Sequence, residues 1–169
     1  MRIAAALFAL GALSPALAGC GLTPLYGGGA AGPIQTTLAS VEVAPIPGEA
    51  GWLLSNAVRD RILAARSGGA ARYRLDIKLD DRIEGLGVRA DDVVTRERRT
   101  LRARYQLVEL ATGEVVLDAT AGSDAGIDVA SSEYATIAAE KSALERLSGI
   151  VADQIVARLA RYARSTEKK

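Results

Sequence analysis

Cys20 is the only cysteine in a chain that contains no histidine, and those two facts bound its chemistry. Without histidine the commonest general base and the commonest metal ligand are missing. A lone thiol forms no internal disulfide and cannot build a Cys/His zinc site. The serines have neither a Gly-x-Ser-x-Gly elbow nor a histidine base. Asp80-Asp81 and Asp91-Asp92 are the adjacent carboxylates. Neighbours on a strand point to opposite faces, so Asp80 and Asp81 make a poor acid/base or metal pair, and Asp91-Asp92 reads as a turn. Gly27-Gly28-Gly29 is not followed by Gly-Lys-Ser/Thr and is no phosphate loop. Two features remain: the thiol of Cys20, and the alternating arginines Arg96, Arg98, Arg102 and Arg104, whose guanidinium forks suit phosphate and carboxylate oxygens. No catalytic, cofactor-binding or metal-binding residues are expected, and the chain reads as a non-enzyme.

The surroundings of Cys20 say what its thiol is for. Arg2 gives a positive start, Ile3 to Leu13 is an apolar run of eleven residues, and Ser14-Pro15 breaks it. Such a run is too short to cross a hydrocarbon core of roughly 30 Å as a helix, and fits an export signal. Leu17-Ala18-Gly19-Cys20 then resembles a bacterial lipobox, at which the thiol takes a diacylglyceryl group, the chain is cut before the cysteine, and the new amine is acylated, with palmitate among the expected chains. The competing readings are an ordinary signal peptide or a buried helix with a chance cysteine. One acyl chain holds only marginally at about 0.8 kcal/mol per buried methylene, whereas three would anchor durably. Gly21 rather than Asp follows the cysteine, which under the enterobacterial sorting rule favours the outer membrane. Residues 1–19 are therefore read as signal peptide and 20–39 as lipidated N-terminus and flexible tether, rich in glycine and proline and nearly uncharged.

Removing the signal takes one basic residue, Arg2, from the 21, and leaves 20 basic against 20 acidic residues. That balance argues against a general nucleic-acid binder. The remaining length suffices for one domain with a real core, placed at 40–164, with a frayed tail at 165–169. Val41-Glu42-Val43 alternates and meets Pro45 and Pro47, a short strand. Leu54, Val58, Ile62 and Ala65 recur at helical spacing and predict a helix over 51–66, stopped by Ser67-Gly68-Gly69. Residues 73–84 alternate with one defect at Asp81; 93–110 alternate with Leu101, Ala103, Tyr105 and Leu107 on one face. Ala111-Thr112-Gly113-Glu114 is a hairpin turn, and Val115 to Ala121 a last strand, followed by a polar connection over 122–129. Ser131 or Ser132 can cap a final helix from 133 to 163, striped by Ile137, Leu144, Leu147, Val151, Ile155, Leu159 and Tyr162.

The order β-α-β-β-β-α predicts an α+β two-layer sandwich: two amphipathic helices on one face of a mostly antiparallel four-stranded sheet. The helix stripes read as core, and Trp52 as either core or interface anchor. The other sheet face stays charged. Its arginine stripe supports two readings, an anionic lipid or acidic partner contact, and cross-strand ion pairing. If the hairpin centres near Ala90, Arg96 faces Glu84 and Arg104 faces Asp76, but Arg98 faces Arg82 and Arg102 faces Lys78, which leaves unbalanced charge that Glu114, Asp118 and Asp124 of the next strand dilute on the same face.

Cys20-Gly21-Leu22-Thr23-Pro24-Leu25-Tyr26-Gly27 resembles the opening of alphaproteobacterial lipopolysaccharide-assembly lipoproteins, the LptE family, with Leu22 where that opening has Phe. Ser132-Glu133-Tyr134-Ala135 and Ala152-Asp153-Gln154-Ile155-Val156-Ala157-Arg158-Leu159 are similar to its last helix. The resemblance implies a lipid-anchored protein on the periplasmic side of the outer membrane that plugs the LptD β-barrel, assists its assembly and lipopolysaccharide transport, and contacts lipopolysaccharide through basic residues. Arg96, Arg98, Arg102 and Arg104 are candidates for that contact from strand geometry. An auxiliary lipoprotein of an ABC-type phospholipid transport system is the alternative. Cys20→Ala is expected to abolish incorporation of labelled palmitate and to release the protein from membranes; retained label would remove the lipid assignment.

Overall fold

A computed structural model describes residues 32–63, 70–88, 94–130 and 132–167. Cys20, the export segment and Asp91-Asp92 lie outside the described residues.

The described chain opens with helix α1, Pro33–Ala39. Proline's fixed φ suits the first helical turn, and Ile34 and Leu38, four residues apart, are both buried. This corrects the expected tether, which was drawn to residue 39. A helix of seven residues has almost no stability of its own, and composition gave it no weight; packing of two aliphatic side chains into the core holds it. The Ser40 carbonyl then accepts the N–H groups of Arg72 at 2.8 Å and Tyr73 at 3.1 Å, tying the end of α1 to the start of the main hairpin.

Strand β1 (Val41–Val43) pairs in parallel with the start of β2 (Tyr73–Val88), and helix α2 (Gly48–Leu63) connects them. α2 begins three residues before the expected Gly51; the expected end at Arg66 lies outside the described residues. β2, β3 (Val94–Glu109) and β4 (Val115–Asp128) form an antiparallel meander, so the sheet order is β1-β2-β3-β4. Gly113 closes the β3–β4 turn at φ 73, a left-handed conformation that suits glycine. β4 also runs through residues 122–128, which read from sequence as a connection. Their glycines and polar residues have weak strand propensity, but pairing with residues 96–102 of β3 overrides it.

Helix α3 (Glu133–Glu167) completes the fold. Its 35 residues give roughly 50 Å at 1.5 Å per residue, and the 16 residues of β2 give about the same at 3.3 Å per residue. One helix therefore runs the length of the sheet. It also extends past the expected end at 163: Ser165 and Thr166 donate their hydroxyls back to the Tyr162 carbonyl at 2.7 and 3.0 Å, so 165–167 are helical rather than frayed.

The odd-numbered sheet positions Leu75, Leu101, Ala103, Tyr105 and Leu107 meet Leu54 and Val58 of α2 and Leu144, Leu147, Val151, Ile155 and Leu159 of α3 in one core. The expected α+β sandwich thus stands, with α1 added; the α3 stripe is core from Leu144 onward, whereas Ile137 is exposed, and Ala65 lies outside the described residues. Polar ties fix the helices. Arg59 donates to the Val43 carbonyl at 3.1 Å, joining α2 to β1. Arg61 bonds Asp153 at 2.6 Å and the Gly149 carbonyl at 3.2 Å, joining α2 to α3. Tyr73 and Tyr162 stack edge to face at 6.3 Å. Trp52 is 63% exposed and is not core. Leu38→Ala should cost about 2–5 kcal/mol in urea unfolding and Trp52→Ala about 0.5 kcal/mol or less; equal costs would mean that α1 is not part of the core.

Candidate functional site: the open sheet face

The even-numbered strand positions form the face that none of the described helices covers. Strand pleating places Arg96, Arg98, Arg102 and Arg104 in one row along β3, flanked by β2 and β4. The row exists as expected, but its partners differ. Arg98 stands opposite Glu84, Arg102 opposite Asp80, and Arg104 opposite Lys78. The expected hairpin centred on Ala90 was one register step off, moving every partner by two residues. Side-chain periodicity is also two, so the face stays the same while the neighbours change. The clashes of Arg98 with Arg82 and of Arg102 with Lys78 do not occur.

β4 supplies the rest of the balance. Arg96 bonds Asp128 at 3.1 Å, Arg102 bonds Asp124 at 3.3 Å, and Arg104 bonds Asp118 at 2.9 Å. On β2, Arg74 bonds Asp76 at 3.0 Å and Arg82 bonds Asp80 at 2.8 Å. Gln106 also donates to Asp118 at 2.8 Å. Bonding from Arg104, and then from Gln106, holds the Asp118 carboxyl below its ordinary range. Counted by register, the face carries Arg74, Lys78, Arg82, Arg96, Arg98, Arg102 and Arg104 against Glu42, Asp76, Asp80, Glu84, Asp118, Asp124 and Asp128, seven of each sign. It is a neutral lattice of exposed pairs. An incoming anion would have to displace carboxylates, although exposed pairs are weak enough for that exchange.

Gly122 shows why a glycine occupies this strand. A Cβ there would lie 2.5 Å from Cδ of Arg102 and 2.9 Å from the Leu101 carbonyl oxygen, so the arginine crosses β4 over a bare backbone. On the other side of the same residue, Gln154 of α3 accepts the Gly122 N–H at 3.0 Å and donates to its carbonyl at 3.3 Å. β4 is an edge strand, and this clamp covers part of its edge.

The arginine that matters most for the fold was not among the expected four. Arg99 lies on the inner face, where Asp81 broke the apolar alternation of β2. The two form a forked pair, Nε to Oδ1 at 2.9 Å and Nη2 to Oδ2 at 2.6 Å, and Arg99 Nη1 reaches the Glu140 carbonyl of α3 at 3.0 Å. Bonding to Asp81 raises the Arg99 pKa against the opposing effect of burial. The sequence carried the signal as two defects, one per strand, on diagonal positions: Asp81 pairs with Leu101, and Arg99 with Ile83. Asp80 and Asp81 do face opposite sides, as expected of strand neighbours. Among the described residues no three carboxylate, thiol or imidazole groups gather to hold a metal ion.

A short β1-α2 unit, a three-stranded meander and a long C-terminal helix over one sheet face, with the other face charged and uncovered among the described residues, define a small two-layer α+β domain. The lipopolysaccharide-assembly family, LptE, matches over residues 38–159, most of the chain, and the chain belongs to that family. This makes it a lipopolysaccharide-assembly lipoprotein, of a non-catalytic family associated with the outer membrane. The fold is similar to a crystal structure from Caulobacter crescentus described as a lipoprotein, with 26% identity, 80% of this chain and 98% of that chain covered, and a TM-score of 0.66. It is similar also to rare lipoprotein B from Shewanella oneidensis, at 13% identity, 76% and 94% coverage and a TM-score of 0.55. A minor lipoprotein from Acinetobacter baumannii matches at 16% identity, 72% and 90% coverage and a TM-score of 0.54. No curated protein sequence matches the chain.

Arg99→Gln removes the forked pair with Asp81 and the bond to the Glu140 carbonyl and should lower unfolding free energy by about 1–3 kcal/mol. Arg104→Gln, fully in water, should leave the urea midpoint unchanged. A midpoint that moves equally for both would refute the distinction between the inner pair and the outer lattice.

Proposed function

We propose that this chain is the lipid-anchored partner of an LptD-type outer-membrane β-barrel, assisting barrel assembly and the passage of lipopolysaccharide to the cell surface. The family match across residues 38–159 carries the reading. The chemistry agrees with it: a chain without histidine, a lipobox-like Cys20 upstream, and a wide charged sheet face that no described element covers. Anchored at the periplasmic face of the outer membrane, the domain stays within reach of a barrel. The chain length between Cys20 and Pro33 allows a separation of at most roughly 45 Å. The stripe of Arg96, Arg98, Arg102 and Arg104 would then face the polar wall of the partner, where Arg96, Arg102 and Arg104 can exchange their aspartates for carboxylates on the wall or for a lipid phosphate.

Tagged full-length protein drawn from mild detergent extracts of its own membranes is expected to carry a large outer-membrane barrel. Purification without any barrel overturns the reading, and recovery of an inner-membrane ATPase in its place would point to a phospholipid transport system.

A further inference from the structure

Away from the open face, α3 and the outer edge of β4 border an open groove of about 720 Å³, lined among others by Tyr105, Thr120, Gln154, Ala157, Arg158 and Arg161. We propose that this groove binds the phosphate of an anionic amphiphile, with Arg158 and Arg161 as the phosphate ligands. The amphiphile class rests on the transport reading above; the phosphate site rests on the groove alone.

The two arginines are three residues apart on one helix and so share a face. Both are exposed, and neither takes part in the ion pairs found among the described residues, which engage most cations of the sheet face. Like charges at this spacing repel. Asp153 lines the same groove but is bonded to Arg61 at 2.6 Å. This differs from the open sheet face, where an anion must compete with carboxylates already in place.

Two further donors face the same space. Tyr105 rises from β3 into the groove with its ring buried. Burial pushes its hydroxyl pKa up while Arg158 and Arg161 pull it down; the net rise keeps it a donor at neutral pH, within electrostatic reach of both guanidinium groups. Gly122 directs its N–H and carbonyl outward to Gln154, so Thr120, two residues away on the same strand, presents its backbone N–H along the same edge. Ala119, Ala157 and the Tyr105 ring supply an apolar wall beside these donors.

The edge position raises a second occupant, a peptide strand added to β4. Gln154 argues against it. With both edge groups of Gly122 taken, an added strand would lose its ladder just where the arginines lie. A compact tetrahedral anion needs only the two forks, the hydroxyl and one N–H, and an attached apolar tail can follow the alanine wall.

Calorimetric titration of the full chain in neutral detergent tests the proposal. The probes are dioctanoyl phosphatidic acid, dioctanoyl phosphatidylcholine and inorganic phosphate. Phosphatidic acid is expected to bind tightest. The double variant Arg158→Gln/Arg161→Gln should weaken it roughly tenfold or more, the scale of losing charge-assisted hydrogen bonds. Ala157→Glu, which sets a carboxylate between the two arginines, should do the same by an independent route. Arg74→Gln/Arg82→Gln on the open face should stay within about twofold of the wild type, the scale of weak exposed pairs. Unchanged binding in the groove variants, or loss confined to the open-face variant, overturns the site. Inorganic phosphate binding as tightly as phosphatidic acid overturns the amphiphile class. A chain that captures no barrel yet keeps arginine-dependent binding refutes the transport reading and leaves the site; the reverse result refutes the site alone.

Discussion

Everything in this domain depends on covering one sheet face. The odd-numbered positions of β2, β3 and β4 present an apolar surface that water cannot be left to wet, and at about 25 cal/mol per Å² of apolar area its burial is the dominant favourable contribution. α3 does most of the covering because it is as long as the hairpin beneath it. α2 takes the β1 side, and α1 adds Ile34 and Leu38 to the same core. The ties that orient these layers are few: Arg61 between the two long helices, Arg59 onto β1, the Tyr73–Tyr162 contact, and Arg99 onto the Glu140 carbonyl. Each fixes a register that non-directional burial alone would leave loose.

The polar residues divide according to that covering. Asp81 and Arg99, on the covered side, are mutually satisfied by a fork of hydrogen bonds, because an unpaired charge there would be costly. On the uncovered side the charges are in water, their pairs are weak, and their summed charge is nil. Such a face suits contact with a large polar surface, where many weak pairs can be exchanged one at a time. The edge of β4 is treated differently: Gln154 covers one of its residues, and the neighbouring Arg158 and Arg161 of α3 take no part in the ion pairs found among the described residues.

Much of this was legible in the residues. Period-two alternation marked the long strands, and the 3.6-residue stripe marked α2 and α3, since both patterns are set by backbone geometry and the need to bury one side. The arginine row followed from the same alternation. Its partners did not, because a hairpin's register depends on a turn that alternation leaves free by steps of two. The strand character of 122–128 was hidden by glycine and polar residues that make sense only beside Arg102 and Gln154. The groove was invisible for a related reason: Tyr105, Thr120 and Arg158 lie on three different elements, and no local pattern joins them.

By itself, then, the amino-acid sequence determined an α+β sandwich with helices on one sheet face and charge on the other, because periodicity acts through short-range geometry and the hydrophobic effect. Only the tertiary structure decided that the arginine row is neutralised, that residues 33–39 belong to the core, that Asp81 finds Arg99, and that α3 sets Arg158 and Arg161 beside an open strand edge. Those outcomes hang on which distant segments come into register, and a contact between residues far apart in the chain is written in neither partner alone.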